Sequence, residues 1–354
     1  MSRKQGLVAT LAAVLISLLA QGATPAAARL RVVATLPNLA AIAAEIGGDR
    51  VEVTGIASGL QDAHFVDPKP SFMVKLRSAD ILLVNGLDLE IGWVPPLTEG
   101  ARNPKILPGG PGYVDCSARI EVMEVPAGPV SRAQGDVHPY GNPHYLADPL
   151  NAEVVAAEVA EAFSKAAPAD AAWFETRRAD FVRRLHAAIF GKELVDLAGG
   201  SKLSRLARSG ELDAFLQDSI VDGKPLSARL SGWLGAMRPV AGAKVITYHK
   251  DGSYFVRRFK LDVVEYVEPK PGIPPSLKHI DDLVARLGQG DVKLLITRPY
   301  VEHRSTDQLS SKTGIAVLTL PLEVGGAPEA TDYFKLFDMA TSKIIAALDT
   351  PAEK

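Results

Sequence analysis

The run Ile81–Val84 (ILLV) is apolar at every position, so a strand built from it is buried on both faces. A parallel sheet with helices packed on either side meets that demand, and the neighbouring segments supply the helices. The strand LRVVAT (Leu30–Thr35) leads to an apolar helix that starts at Pro37-Asn38 and stops at Gly47-Gly48. A strand over Val51–Ile56 follows, and Pro70 opens the short helix PSFMVKLRSAD. The alternation resumes late in the chain. Strands are expected over Lys244–Tyr248 (KVITY), Leu261–Val267, Val292–Thr297 and Ile315–Leu320, with helices over Leu277–Leu287, near Thr306–Thr313 and over Asp332–Leu348. Two blocks of alternating strands and helices predict an α/β protein of two doubly wound lobes.

Between the blocks the pattern changes. Residues 103–141 are rich in Pro and Gly and read mostly as loop. From Asn151 a helical stretch begins that Pro168 divides, since a helix-interior proline removes a hydrogen bond and clashes with the preceding turn. The second piece, Asp170–Leu197, keeps Phe174, Phe181, Leu185 and Ile189 on one stripe and is read as one helix of about 40 Å. Residues 199–234 are polar and interrupted, and read as an insertion. The expected domains are a signal peptide (1–28), an N-terminal lobe (29–148), bridging helices (149–198), the insertion (199–234) and a C-terminal lobe (235–354).

The N-terminus reads as an export signal. Arg3 and Lys4 precede the apolar run Leu7–Ala20, and Pro25-Ala26-Ala27-Ala28 offers an Ala-x-Ala cleavage site. The apolar run is about 14 residues, short of the ~20 that span a bilayer. No cysteine lies there to carry a lipid, and with Cys116 as the sole cysteine no internal disulfide can form. Cleavage after residue 28 removes Arg3 and Lys4 and takes the net charge from −2 to −4. That balance argues against nucleic acid or an anionic membrane surface as a partner.

Three histidines occupy loops of related kind: His64 after a strand, His144 just before the long helices, and His249 at the carboxyl end of KVITY. Ligands of open α/β sheets bind outside the carboxyl ends of strands, and neutral imidazole suits Zn²⁺. Any one of these alone reads equally as a surface or hydrogen-bonded histidine. The words around them are more specific. Gln61-Asp62-Ala63-His64-Phe65-Val66-Asp67-Pro68, Asn142-Pro143-His144-Tyr145-Leu146-Ala147-Asp148-Pro149 and Tyr248-His249-Lys250-Asp251-Gly252-Ser253-Tyr254-Phe255 resemble three motifs of one family. It is the metal-specific solute-binding proteins of zinc and manganese ABC importers, cluster A-I, and Val267–Ser276 (VEPKPGIPPS) resembles its connection between lobes.

The resemblance implies two lobes bridged by a long helix, with the metal in the cleft between them, held by His64 and His144 from the first lobe and His249 from the second. It implies an exported, periplasmic, monomeric receptor that hands Zn²⁺ to a membrane permease and performs no catalysis. Manganese receptors of the family place a carboxylate where His249 stands, so histidine favours zinc over Mn²⁺. The family's fourth ligand is an aspartate after the strand matching Ile315–Leu320, and here Leu320 occupies that place. Glu323 is the expected replacement, ahead of His138 or water. A zinc-dependent hydrolase and a metal-binding adhesin are the competing functions. His186 reads as a surface or packing residue and His279 as solvated, while the Glu302-His303 pair could line the cleft but, beside Arg298 and Arg304, reads as ion-paired surface. Glu90 and Trp93 read as packing of the first lobe, and Gly109-Gly110 makes no dinucleotide fingerprint.

Overall fold

A computed structural model describes residues 29–130, 135, 137–270 and 272–349; the expected signal peptide lies outside them. The first lobe runs β1 (Leu30–Ala34), α1 (Pro37–Gly47), β2 (Val51–Gly55), α2 (Pro70–Arg77), β3 (Ile81–Val84), α3 (Val94–Ala101) and β4 (Tyr113–Asp115). All four strands are parallel, in the order β2-β1-β3-β4. As the apolar run requires, β3 is buried along its whole length. Strand β4 corrects the reading of residues 103–141 as loop. It is three residues long among Pro and Gly, with a single neighbour, and its place is set by close approach: a Cβ on Gly112 would lie 2.1 Å from the Asp80 carbonyl oxygen.

The chain then crosses through α4 (Asn151–Ala166) and α5 (Ala171–Phe190), separated by a 3-10 turn at Pro168. Helix α5 is shorter than expected. Gly191, at φ 89°, ends it, and α6 (Lys192–Ala198) starts in a new direction. The apolar stripe is blind to this break because Leu194 is buried as well. At 1.5 Å per residue α5 spans about 30 Å, and it touches α1 at one end of the molecule and α9 at the other.

The insertion is also more ordered than its polarity suggests. It folds into α7 (Gly200–Ser209), α8 (Leu212–Asp218), a hairpin of β5 (Ile220–Val221) and β6 (Lys224–Pro225), and then α9 (Gly232–Met237). Leu203, Leu212, Leu216 and Leu226 from this stretch join the main core.

The second lobe comprises β7 (Lys244–Thr247), α10 (Ser253–Phe259), β8 (Asp262–Tyr266), α11 (Leu277–Leu287), β9 (Leu294–Thr297), α12 (Arg304–Thr313), β10 (Ala316–Thr319) and α13 (Tyr333–Asp349). Its parallel sheet runs β10-β9-β7-β8, which is the strand order of the first lobe. The molecule is therefore an α/β fold of two like-built lobes bridged by a long helix. One apolar core runs through both, from Val32 and Leu82 to Tyr254, Phe259 and Phe337. No helix among the described residues is long and apolar enough to cross a membrane.

A buried ion pair joins the parts. The Arg258 guanidinium, on α10, donates from Nε and Nη2 to the Asp148 carboxylate at 2.8–3.1 Å and from Nη1 to the Ala207 carbonyl. Asp148 precedes the bridge and is 1% exposed. Asp148→Asn leaves the guanidinium without its counter-charge, which is expected to cost about 3–5 kcal/mol in equilibrium urea unfolding. A loss under about 1 kcal/mol would show that the pair does not hold the parts together.

Candidate metal centre

The loop after β2 carries His64 and is pinned at each step. Asp62 Oδ1 accepts from the His64 backbone N–H at 2.9 Å and from the ring Nδ1 at 2.7 Å. The Trp93 indole N–H donates to the Ala63 carbonyl, so the expected packing role of this buried Trp includes anchoring the histidine loop. His144 is fixed by a similar short loop. Asn142 Oδ1 accepts from its backbone N–H at 3.0 Å, and Asn142 Nδ2 donates to Glu124 and to the Lys250 carbonyl. His249 leaves the end of β7, and its Nδ1 lies 2.7 Å from Glu268 Oε2, at the end of β8.

These positions bring the three histidines together. One ring nitrogen of each of His64, His144 and His249 lies within 4.8 Å of the others, the sole such group of three among the described residues. The rings meet edge-on, with centroids 5.2–6.2 Å apart. A carboxylate at Nδ1 takes that N–H and leaves Nε2 with its lone pair. Asp62 does this for His64 and Glu268 for His249.

His138 and Glu323 sit differently. His138 Nε2 is 3.1 Å from His64 Nε2, with the two rings stacked. Glu323 Oε2 instead accepts from the Asn38 backbone N–H at 2.8 Å, at the start of α1. Asn38 completes the clasp by donating to the Leu322 carbonyl and accepting from the Val324 N–H. Glu323, Asn38, Asp62, His144 and Tyr300 line a small cavity of about 20 Å³, room for one water. A second cavity, of about 460 Å³, opens from His138, His144 and His249 past Glu124, Lys250 and Tyr266 to solvent. Leu320 is buried, and its carbonyl accepts from Arg298.

Charge around the rings favours neutral imidazole at two places. Burial holds His144 well below the ordinary histidine range, and the neighbouring imidazoles act the same way. Burial, with His64 and His249 nearby, takes His138 down to about 4. For His249 burial acts downward, but the Glu268 hydrogen bond and Asp251 outweigh it and the net shift is up. Asp62 shows the mirror case: burial raises its pKa, the bonds from His64 outweigh that, and the carboxyl stays ionised lower than usual.

Several of these groups escape a reading of sequence alone. Asp62 and Glu268 carry no motif of their own as partners of histidine. Arg298, read as a surface residue, is buried and paired with Asp251 at 2.6–2.8 Å, because β9 ends directly beside the His249 loop. Asp251 is held at about 2, burial opposing and Arg298 prevailing. His186 is a buried packing residue, 3.3 Å from Glu153. His279 is half-buried and bonded to the Tyr266 carbonyl rather than free in solvent.

Comparison with known proteins decides the family. Residues 32–189 and 233–347 match the family of the zinc-uptake complex component A, periplasmic (ZnuA). This chain belongs to that family. The unmatched residues between the two blocks hold α6 to α8 and the hairpin. The metal ABC transporter substrate-binding lipoprotein ScbA of Streptococcus cristatus is 28% identical over 45% of this chain and 49% of its own length. The manganese ABC transporter substrate-binding lipoprotein PsaA of Streptococcus anginosus is 26% identical over 44% and 48%. The chain thus spans about half the length of these streptococcal relatives. The iron-binding protein YfeA of Yersinia pestis is 24% identical over 90% of this chain and 86% of its own. In fold, the crystal structure of ZnuA aligns at a TM-score of 0.65 and 18% identity, covering 91% of this chain and all of that one. A Mn-bound periplasmic metal binding protein from Candidatus Liberibacter asiaticus aligns at 0.61 and 15%, with the same coverage.

Glu323 has a measurable signature. Burial pushes its carboxyl up to about 8 from 4.5, partly offset by the Asn38 N–H. Folding therefore takes up a proton between those values, and stability falls as pH rises from 4.5 to 8. Glu323→Gln removes that dependence. Thermal unfolding should place variant and wild type together near pH 4.5 and the variant higher at pH 8; a wild type more stable at pH 8 contradicts a neutral Glu323.

Proposed function

We propose that this chain is the periplasmic substrate-binding protein of a metal ABC importer, that Zn²⁺ is its substrate, and that it acts as a monomer delivering the ion to a membrane permease without chemistry on it. The observation that carries the reading is the convergence of His64, His144 and His249, two of them with Nδ1 bonded to a carboxylate and Nε2 presented inward. Imidazoles ordered in this way are preformed ligands for a borderline-soft divalent ion. Tetrahedral zinc at about 2.0–2.1 Å from each nitrogen sets the nitrogens roughly 3.4 Å apart. The nitrogens lie within 4.8 Å of one another, so a contraction of at most about 1.4 Å would close the shell. The family and the names of the relatives support metal capture. The choice of zinc over the manganese and iron in those names rests on the ligands here, since Mn²⁺ leans toward oxygen.

His138 is the fourth ligand we favour. Its Nε2 lies at 3.1 Å from that of His64, close to the spacing of two nitrogens on one zinc ion. In the metal-free chain that distance is an N–H···N hydrogen bond between two neutral rings, and a metal ion would take the place of the shared hydrogen. Glu323 is engaged with Asn38 and would have to leave the start of α1 to reach the ion. An all-histidine shell keeps the charge of Zn²⁺, and Asp62 and Glu268 then balance it from behind their histidines.

Competition titration of purified protein against a zinc chelator tests both statements. His64→Ala, His144→Ala and His249→Ala should each weaken zinc by at least tenfold, about 1.4 kcal/mol. His138→Ala should do so as well, while Glu323→Gln should bind as wild type. Unchanged affinity in any two of the first three sinks the centre. Loss in Glu323→Gln with none in His138→Ala transfers the fourth place to the glutamate.

A further inference from the structure

A cavity of about 200 Å³ lies between the insertion and the second lobe and shares no lining residue with the histidine centre. Its apolar wall is Leu212, Leu230, Leu234, Met237 and Phe259, drawn from α8, α9 and α10 and the loop between the hairpin and α9. Its rim is cationic: Arg208, Arg238, Arg257, Arg258 and Lys260 face one lining carboxylate, Asp213.

Three of these cations are committed. Arg258 is held by Asp148, Lys260 pairs with Asp213, and Arg208 donates to the Leu150 carbonyl and to Asn151. Arg238 and Arg257 are not. Among the described residues Arg238 donates to the Ser227 carbonyl and to no carboxylate, and Arg257 lies over the Tyr254 ring with only a long ion pair, 3.9 Å, to Asp148. Both are exposed at the mouth. Two exposed guanidiniums, neither hydrogen-bonded to a carboxylate among the described residues, stand beside a concave apolar wall, and each half of this arrangement defines one half of a ligand. An inorganic anion would leave the wall wet, and a neutral apolar molecule would leave the guanidiniums unused.

We propose that this cavity is a second ligand site, separate from the histidine centre, for a small monocarboxylate with an aromatic or short alkyl body. The carboxylate is held by Arg238 and Arg257, and the body rests on Leu234, Met237 and Phe259. An apolar cavity of about 150 Å³ holds one benzene ring, so about 200 Å³ limits the body to one ring or a short chain. Residues 190–232, which build one wall, fall outside the part of the chain that matches its family, so the site belongs to this chain's own addition to the fold.

Ligand-observed NMR and calorimetry on the full mature chain, with benzoate and hexanoate as probes, test the assignment. At least one of the two should bind saturably at one site per chain. Benzyl alcohol, hexan-1-ol and inorganic phosphate should each bind at least tenfold more weakly than the better acid. The surface double variant Arg238→Gln/Arg257→Gln should weaken that acid at least tenfold while zinc binding stays as in wild type. Leu234→Trp, which fills the cavity, should abolish it. The proposal is overturned if neither acid binds saturably, if a neutral alcohol or phosphate binds as well as the acid, or if the double variant binds unchanged.

Discussion

The loop from Asn142 to Asp148 is tied to the second lobe at both ends, and the geometry of the centre depends on those ties. At the first end the Tyr254 hydroxyl donates to the Asn142 carbonyl and accepts from the Met123 N–H, and Asn142 donates to the Lys250 carbonyl. At the other end Asp148 holds Arg258. His144 rides between these anchors, so its distance to His249 follows from bonds made by α10 rather than from a hinge. Tyr333, on α13, adds a bond from its hydroxyl to the Leu146 carbonyl. With one apolar core running beneath both sheets, the lobes are packed and hydrogen-bonded against each other. Domain-scale closure around a ligand has little room in such a structure.

Burial and charge then divide the labour among the rings. His144 and His138 stay neutral because burial penalises their charged forms, which keeps lone pairs available to a cation. His64 and His249 gain orientation from carboxylates placed behind them, and for His249 the net pKa shift is upward. Those carboxylates would also offset the charge of the divalent ion proposed for this centre. Asp251 is too strongly engaged with Arg298 to act as a ligand itself, and it contributes field instead.

Most of the fold was legible because it rests on local pattern. The all-apolar ILLV run, the Pro-initiated helices and the glycine pair ending α1 each speak within a few residues of sequence. Misreadings came where a distant contact decides. Strand β4 exists because Gly112 lets the chain pass against Asp80, and the bridge breaks at Gly191, where a Cβ would lie 1.8 Å from Ser231 Oγ. At the centre, the three histidines were marked by the words around them. Their partners were not: Glu268 meets His249 only because β7 and β8 are neighbours in the sheet. The bond that Glu323 accepts from the Asn38 backbone, 285 residues away, likewise left no mark in the sequence.

X-ray absorption at the zinc edge, on protein loaded with one equivalent of Zn²⁺, is the most direct test that imidazoles converge on the ion. The account predicts a first shell of nitrogen at about 2.0–2.1 Å with multiple scattering from three or four imidazole rings. A shell fitted by two or fewer imidazoles, or dominated by carboxylate and water oxygen, would contradict it.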